Sequence, residues 1–207
     1  MHEKEIKLHE LIDSGKEAEA IELLDSDESI DVNFEYNLRT PIFSVISNKM
    51  YDLFEKIAKN PKFDSNIEDG FGENLLQSLI YMYTAEGLDL DTENIANMIK
   101  VILGLDTFNF NHQDLNEDTT LHVACVYPKA LWIVEALVNK KNININLINE
   151  IDCSALTVAI GEGNVEAIKL LSKRQDLVVR EIDVEKAKKA NIELSECGIN
   201  VPSFAEA

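Results

Sequence analysis

Asp114-Leu-Asn-Glu-Asp-Thr-Thr-Leu-His-Val-Ala124 decides how the rest of the chain is read. A polar turn runs into a short apolar helix. Thr119 stands where an N-cap belongs, and His122 stands three residues on, at N3. The same change of character occurs at Thr40-Pro41-Ile42-Phe43, Asn74-Leu75-Leu76-Gln77 and Ser154-Ala155-Leu156-Thr157, and a Leu8-His9 pair opens the chain. From Leu8 to Ile42, Leu76, Leu121 and Leu156 the steps are 34, 34, 45 and 35 residues. A second marker, Asn33, Asn66, Asn111 and Asn146, steps by 33, 45 and 35. Two independent markers therefore agree on the period and on the place of one long gap.

Each period reads as two short helices and a turn. In the first, Ile6, Leu8, Leu11 and Ile12 share one helix, Gly15 breaks it, and Ala18, Ile21, Leu23 and Leu24 follow. Helices this short are marginal alone and must bury an apolar face against neighbours. Thr40 is expected to cap the next helix, with Pro41 at N1 losing no needed donor. Leu53, Phe54, Ile57 and Ala58 follow. The third unit has the turn Asp69-Gly-Phe-Gly72 and an acidic insertion over 84–93. Ile95, Met98, Ile99, Ile102 and Leu103 then resume the pattern, behind a cap at Asp91 or Thr92. Ile133, Val134, Leu137 and Val138 close the fourth unit, and Gly163 to Leu171 the fifth.

Thr119-Thr120-Leu121-His122-x-Ala124 resembles the Thr-Pro-Leu-His-x-Ala signature of ankyrin repeats, whose period is about 33 residues. The resemblance covers about residues 5 to 180. It implies an all-α solenoid of stacked helix-turn-helix units with projecting turns, over about 5–33, 34–66, 67–111, 112–146 and 147–180. It implies also that the Thr hydroxyl and the imidazole tie adjacent turns together. Residues 181–207 are expected to be a polar capping helix and, from Gly198 on, a tail that is frayed or an extended appendage. The match is uneven. Pro is kept only at Pro41, His only at His9 and His122. Glu117 and Asp152 replace the turn Gly, which predicts irregular loops there. Another α-solenoid of helix pairs is the alternative fold.

Composition narrows the function. Against 19 basic residues stand 38 acidic ones, a net charge of -19. Nucleic acid and anionic membranes need a basic patch, so neither is an expected partner; a basic protein segment is. Acidity that serves solubility alone is the plainer reading. Three cysteines have no framework spacing, which fits a reducing compartment. No signal core and no apolar run near 20 residues is present, so a cytoplasmic chain, and a monomer, is expected.

No catalytic or metal motif stands out, and no cofactor is expected. His122 and Cys125 lie one helical turn apart, but helix packing explains Cys125 and no orienting third group is evident. Asp89-x-Asp91-x-Glu93 begins like a calcium loop, yet Asn94 replaces the turn Gly and Lys100 the bidentate Glu. Gly70-x-Gly72 lacks the following Gly and Lys of a phosphate loop.

What remains is binding. Ankyrin arrays bind proteins along the concave side, with turn tips and the ends of first helices. Unit by unit, the resemblance carries those positions onto Tyr36, Asn37, Arg39, Ser47 and Asn48; Phe71, Glu73, Tyr81 and Met82; Leu115, Asn116, Asp118, Val126 and Tyr127; Glu150, Ile151, Cys153 and Glu162. Aromatic and apolar side chains recur among flanking acids, so the expected face is acidic and studded with aromatics. An adaptor or inhibitor is the leading reading. Small proteins of this kind also resemble effectors that intracellular bacteria deliver, which would place the chain in a host cytoplasm. The alternatives are an enzyme with a site in the insertion or the C-terminal segment, and a targeting module for an effector function on another chain.

Overall fold

The computed structural model describes residues 2–86 and 91–204. Part of the expected insertion (87–90, with Asp89 of the calcium-like run) and the last three tail residues lie outside the described residues. Among the described residues there are eleven helices and no extended strand: α1 Glu3–Asp13, α2 Glu17–Ser26, α3 Pro41–Ser47, α4 Tyr51–Ala58, α5 Leu75–Thr84, α6 Thr92–Leu103, α7 Thr120–Val126, α8 Leu131–Val138, α9 Ala155–Gly161, α10 Val165–Leu171 and α11 Glu181–Ala190. A 3-10 turn, Pro128–Ala130, leads into α8. The apolar positions read from the period are the core: Leu8, Ile42, Leu76, Leu121 and Leu156 are each at most 1% exposed. One position moves. In α2 the inward pair is Ala20 and Leu24, four residues apart, while Ala18 is exposed. Asp91 caps α6, its carboxylate accepting the Asn94 N–H at 3.1 Å.

The helices pack into two compact units. In the first, α1 lies on α3, and α2, α4 and α6 form a second row. In the second, α5, α7, α9 and α11 form one row and α8 packs on α10. The two helices of the third expected repeat, α5 and α6, thus fall in different units. α11 packs on α9 as the next first helix of its row.

The recurring Asn has a physical explanation. In the first unit Asn33 Nδ2 donates to the Lys62 carbonyl (2.7 Å), and its Oδ1 accepts the Asp64 N–H (2.8 Å). In the second, Asn111 bonds the Asn142 carbonyl (2.8 Å) and the Asn144 N–H (2.7 Å). Asn146 does the same to Asp176 and Val178, at 2.7 and 2.9 Å. Each amide presents a donor and an acceptor to the backbone of the next loop, which Asp, Ser or Leu could not do at that distance.

The turns without glycine are regular, against expectation. Glu117 and Asp152 hold φ of 60° and 57°, close to the 70° of Gly72. Side chains carry the strain. Asp114 Oδ1 accepts the N–H groups of Asn116 (2.8 Å) and Asp118 (3.0 Å). Asn149 Oδ1 likewise accepts those of Ile151 (3.2 Å) and Cys153 (2.9 Å). Antiparallel bridges Gln113–Thr119 and Ile148–Ser154 close the two loops.

Packing continues beyond α11 as far as the start of the tail. Leu194, Cys197 and Ile199 are buried, and Gly198, at φ 83°, lies so close to the Ser172 hydroxyl that a Cβ would sit 3.1 Å from it. Val201 and Phe204 beyond are exposed. Three apolar side chains within six residues supply the burial that orders this stretch.

Candidate functional site

The second unit fixes its turns through the starts of its first helices. Asn74, Thr119 and Ser154 each cap a helix in a reciprocal capping box with Gln77, His122 and Thr157. The N3 side chain then crosses to the following turn or helix. Gln77 Nε2 donates to Asp114 Oδ2 (2.9 Å) and to the Asp118 carbonyl (3.0 Å). His122 Nδ1 accepts the Thr119 N–H (3.1 Å) while Nε2 donates to the Cys153 carbonyl (3.0 Å). The imidazole is thereby a neutral spacer, and burial holds its pKa below the ordinary value, against the pull of the Asp118 charge. Thr157 Oγ1 bonds Asp183 Oδ1 (2.5 Å) at the start of α11. Arg180 joins that group, reaching Asp152 Oδ1 (2.8 Å) and Thr157 Oγ1 (2.9 Å).

This scaffold projects a row of apolar tips. Phe71 is 73% exposed, Leu115 73% and Ile151 69%. The tips are joined through their backbones: the Phe71 carbonyl accepts the Leu115 N–H (3.3 Å), and the Asn116 carbonyl accepts the Glu150 N–H (3.0 Å). Gly72 matters here, because a Cβ on it would meet Leu115 Cγ and N at 3.2 Å. Asp118, half-buried, takes the Asn149 amide at 2.8 Å, so it braces the next turn.

In the same unit, Tyr81 on α5 and Tyr127 at the end of α7 meet edge to face, their centroids 6.4 Å apart. Burial, then the charges of Glu73, Asp114 and Asp118, push the Tyr81 phenol up from its ordinary value. Met82 is half-buried beside Tyr81 in α5. Ten of the expected positions are thus brought onto one unit: Phe71, Glu73, Tyr81, Met82, Leu115, Asn116, Asp118, Tyr127, Glu150 and Ile151. Cys153, also expected on the face, is instead buried. Its backbone is held by Asn149 and His122, which turns the thiol inward.

The first unit carries Tyr36, Asn37, Arg39 and Asn48. Tyr36 pairs with Arg39 through both backbone bonds (2.9 and 3.1 Å), closing a two-residue turn over Asn37 and Leu38. Both turn residues have positive φ, 53° and 60°. Leu38, missed in the sequence, is 92% exposed; its place two residues before the Thr40 cap, where Gly72 precedes Asn74, was the available signal. Arg39 forms an exposed pair with Asp13 at 3.2 Å, and Asn48 donates to the Ser44 carbonyl at 2.9 Å. Thr40, expected as a cap, makes no such bond, and its hydroxyl is buried without a partner among the described residues. Phe43 at N3 has no polar atom to orient it.

Chemistry has less to work with. Cys125 is fully buried and its thiol is pushed up to about 12 by that burial, so it does not serve as a nucleophile with His122. Among the described residues no cluster of His, Cys, Asp or Glu could hold a metal ion, and no helix is long and apolar enough to cross a membrane. An open crevice of about 910 Å³ in the first unit is lined by Asp25, Glu28, Glu55, Lys56, Lys59 and Lys62 among others. Its lysines are engaged: Lys56 with Asp25, Lys59 with Glu55, and Lys62 with the Glu28 carbonyl.

Residues 82–181 match the family model of ankyrin repeats, in three copies. The crystal structure of an ankyrin repeat domain from Acinetobacter baumannii is similar to the whole fold, with a TM-score of 0.63 over 93% of this chain and 94% of that one. Sequence identity between them is 14%, so the likeness concerns fold alone. No curated protein matches significantly.

Proposed function

The chain is an ankyrin-repeat protein, and on that footing we propose that it is a non-catalytic binding module, an adaptor or inhibitor, which grips a basic, apolar-containing segment of a partner protein. Ankyrin repeats mediate protein–protein interaction generally. The observation that carries the reading is the row Phe71, Leu115, Ile151: three large apolar side chains held out by turns that are hydrogen-bonded to one another. Exposed apolar groups cost solubility unless they are used, and rigid anchors lose little entropy on binding. Glu73, Asp118 and Glu150 beside them supply the charge complement for lysine or arginine. Tyr81 and Tyr127 offer the amphipathic surface that interface cores favour.

The test compares the wild-type chain with Phe71→Ala/Leu115→Ala/Ile151→Ala as bait in a cytosolic extract, at low and physiological salt. The expected result is a protein captured by wild type, lost at least about tenfold with the triple variant, and weakened by salt. Equal capture by both baits would remove the apolar row from the site. Capture indifferent to salt would remove the basic character of the partner.

A further inference from the structure

We propose that Cys153 and Lys186 form an oxidative modification site, in which peroxide links the thiol sulfur to the lysine nitrogen. This inference is independent of the binding surface. The side chains meet across two elements: Cys153 in the last turn before α9, Lys186 on α11, with Nζ 3.3 Å from Sγ. Both elements are ordered by a separate set of bonds. Asn149 holds the Cys153 N–H at 2.9 Å, and Thr157, Arg180 and Asp183 hold α11 against α9. The approach of nitrogen to sulfur is therefore built into the packing.

The three cysteines differ in what surrounds them. Cys125 is enclosed by apolar core, and burial pushes its thiol up to about 12. Burial also raises the Cys197 thiol. Cys153 faces an amine directly, its Sγ accepting from Lys186 Nζ. The turn around it is thin: Ile151 and Asp152, the two residues before it, are exposed, and Lys186 is half-exposed.

The chemistry balances with one equivalent of peroxide. The Cys153 thiol gives up its proton, the sulfur attacks a peroxide oxygen, the O–O bond breaks, and the departing hydroxide takes that proton, leaving sulfenic acid and water. The Lys186 nitrogen, once its ammonium proton has passed to solvent, then attacks the sulfenic sulfur. An S–N bond forms, the S–O bond breaks, and the departing hydroxide takes a proton from nitrogen as a second water. Sulfur is oxidised by two electrons and peroxide is reduced. A thiol reductant reverses the link by attacking sulfur and returning the amine.

The full chain is treated with hydrogen peroxide, denatured, alkylated and digested with a glutamate-specific protease for mass spectrometry. The expected product is a Cys153–Lys186 peptide pair about 2 Da lighter than the sum of its parts, split again by dithiothreitol. Lys186→Arg keeps the charge and lowers the yield of linked pair at least about tenfold; Cys153→Ala abolishes it. In oxidised wild type, α11 amides exchange more slowly than in the reduced protein, a readout that needs no variant to fold. Recovery of Cys153 as free thiol, sulfinic acid or a disulfide, with no linked pair, overturns the proposal. So does a link to another lysine that persists in Lys186→Arg.

Discussion

Helix α3 of the first unit opens Thr40-Pro41-Ile42-Phe43, and α7 of the second opens Thr119-Thr120-Leu121-His122. Both begin with Thr, and α3 alone keeps the Pro of the repeat signature. Yet Thr119 caps its helix and Thr40 does not. The residue that separates them is N3. His122 orients the Thr119 hydroxyl and reaches the Cys153 carbonyl; Phe43 can do neither. Gln77 and Thr157, unlike His in shape, perform the same two tasks in α5 and α9. What fastens one turn to the next is a polar N3 side chain with an atom on each side, more than any one residue of the signature. His9 of α1 makes only the cross-turn half of the arrangement, from the middle of its helix and without capping it, its Nε2 lying 2.7 Å from the Phe34 carbonyl.

The largest test of this contrast is His122→Ala. It strips partners from the Thr119 N–H and the Cys153 carbonyl and opens a cavity, and it should cost about 2–4 kcal/mol in urea unfolding. Trp132, the single tryptophan, lies in α8 of the second unit and reports that transition. His122→Gln, which copies Gln77, should lose less than half as much; an equal loss would show that shape and not cross-turn bonding is what matters.

Acid should expose the same residue. Burial holds the folded His122 below its ordinary 6.5, so the unfolded chain binds the proton first as pH falls. Its contribution is complete above 6.5 and is lost as pH drops from there through the folded value. The Trp132 unfolding midpoint should fall between pH 7.5 and 5 by more in wild type than in His122→Gln. Identical pH profiles would be evidence against a neutral buried imidazole.

Smaller effects separate the caps. Thr119→Ala or Ser154→Ala should cost about 1–2 kcal/mol, whereas Thr40→Ala should cost at most about 0.5 kcal/mol, because its hydroxyl has no bond to lose. A comparable cost at Thr40, measured by denaturation, would mean that the hydroxyl works after all. Smallest is a gain. Leu38→Gly and Glu117→Gly relieve positive φ and should each stabilise by about 0.5–1 kcal/mol. Unchanged or lowered stability in both would place the turn strain elsewhere.

Much of this was legible in the chain because it is periodic. A Leu that packs and an Asn that bridges backbone recur wherever a unit meets its neighbour, so their spacing reports the stacking directly. The apolar tips were legible for the opposite reason: Phe71, Leu115 and Ile151 sit in polar turns where nothing local explains them. Turn regularity was not, because the strain at Glu117 is met by Asp114, three residues away, through a bond that composition does not announce. Nor was the packing of the stretch between α11 and the tail, since Leu194, Cys197 and Ile199 have no helical period. The division of α5 from α6 depends on which neighbour each helix finds, and local pattern says nothing of that.

That division bears on how the chain is made. Synthesis runs from the N-terminus, and domains usually fold as they emerge. Here α5 leaves the ribosome before α6, although α6 completes the row of α2 and α4 and α5 belongs with α7. The first unit must wait for a segment made after part of the second, and α5 must remain unclaimed until residues near Thr120 appear. The two units therefore cannot form strictly one after the other as the chain emerges.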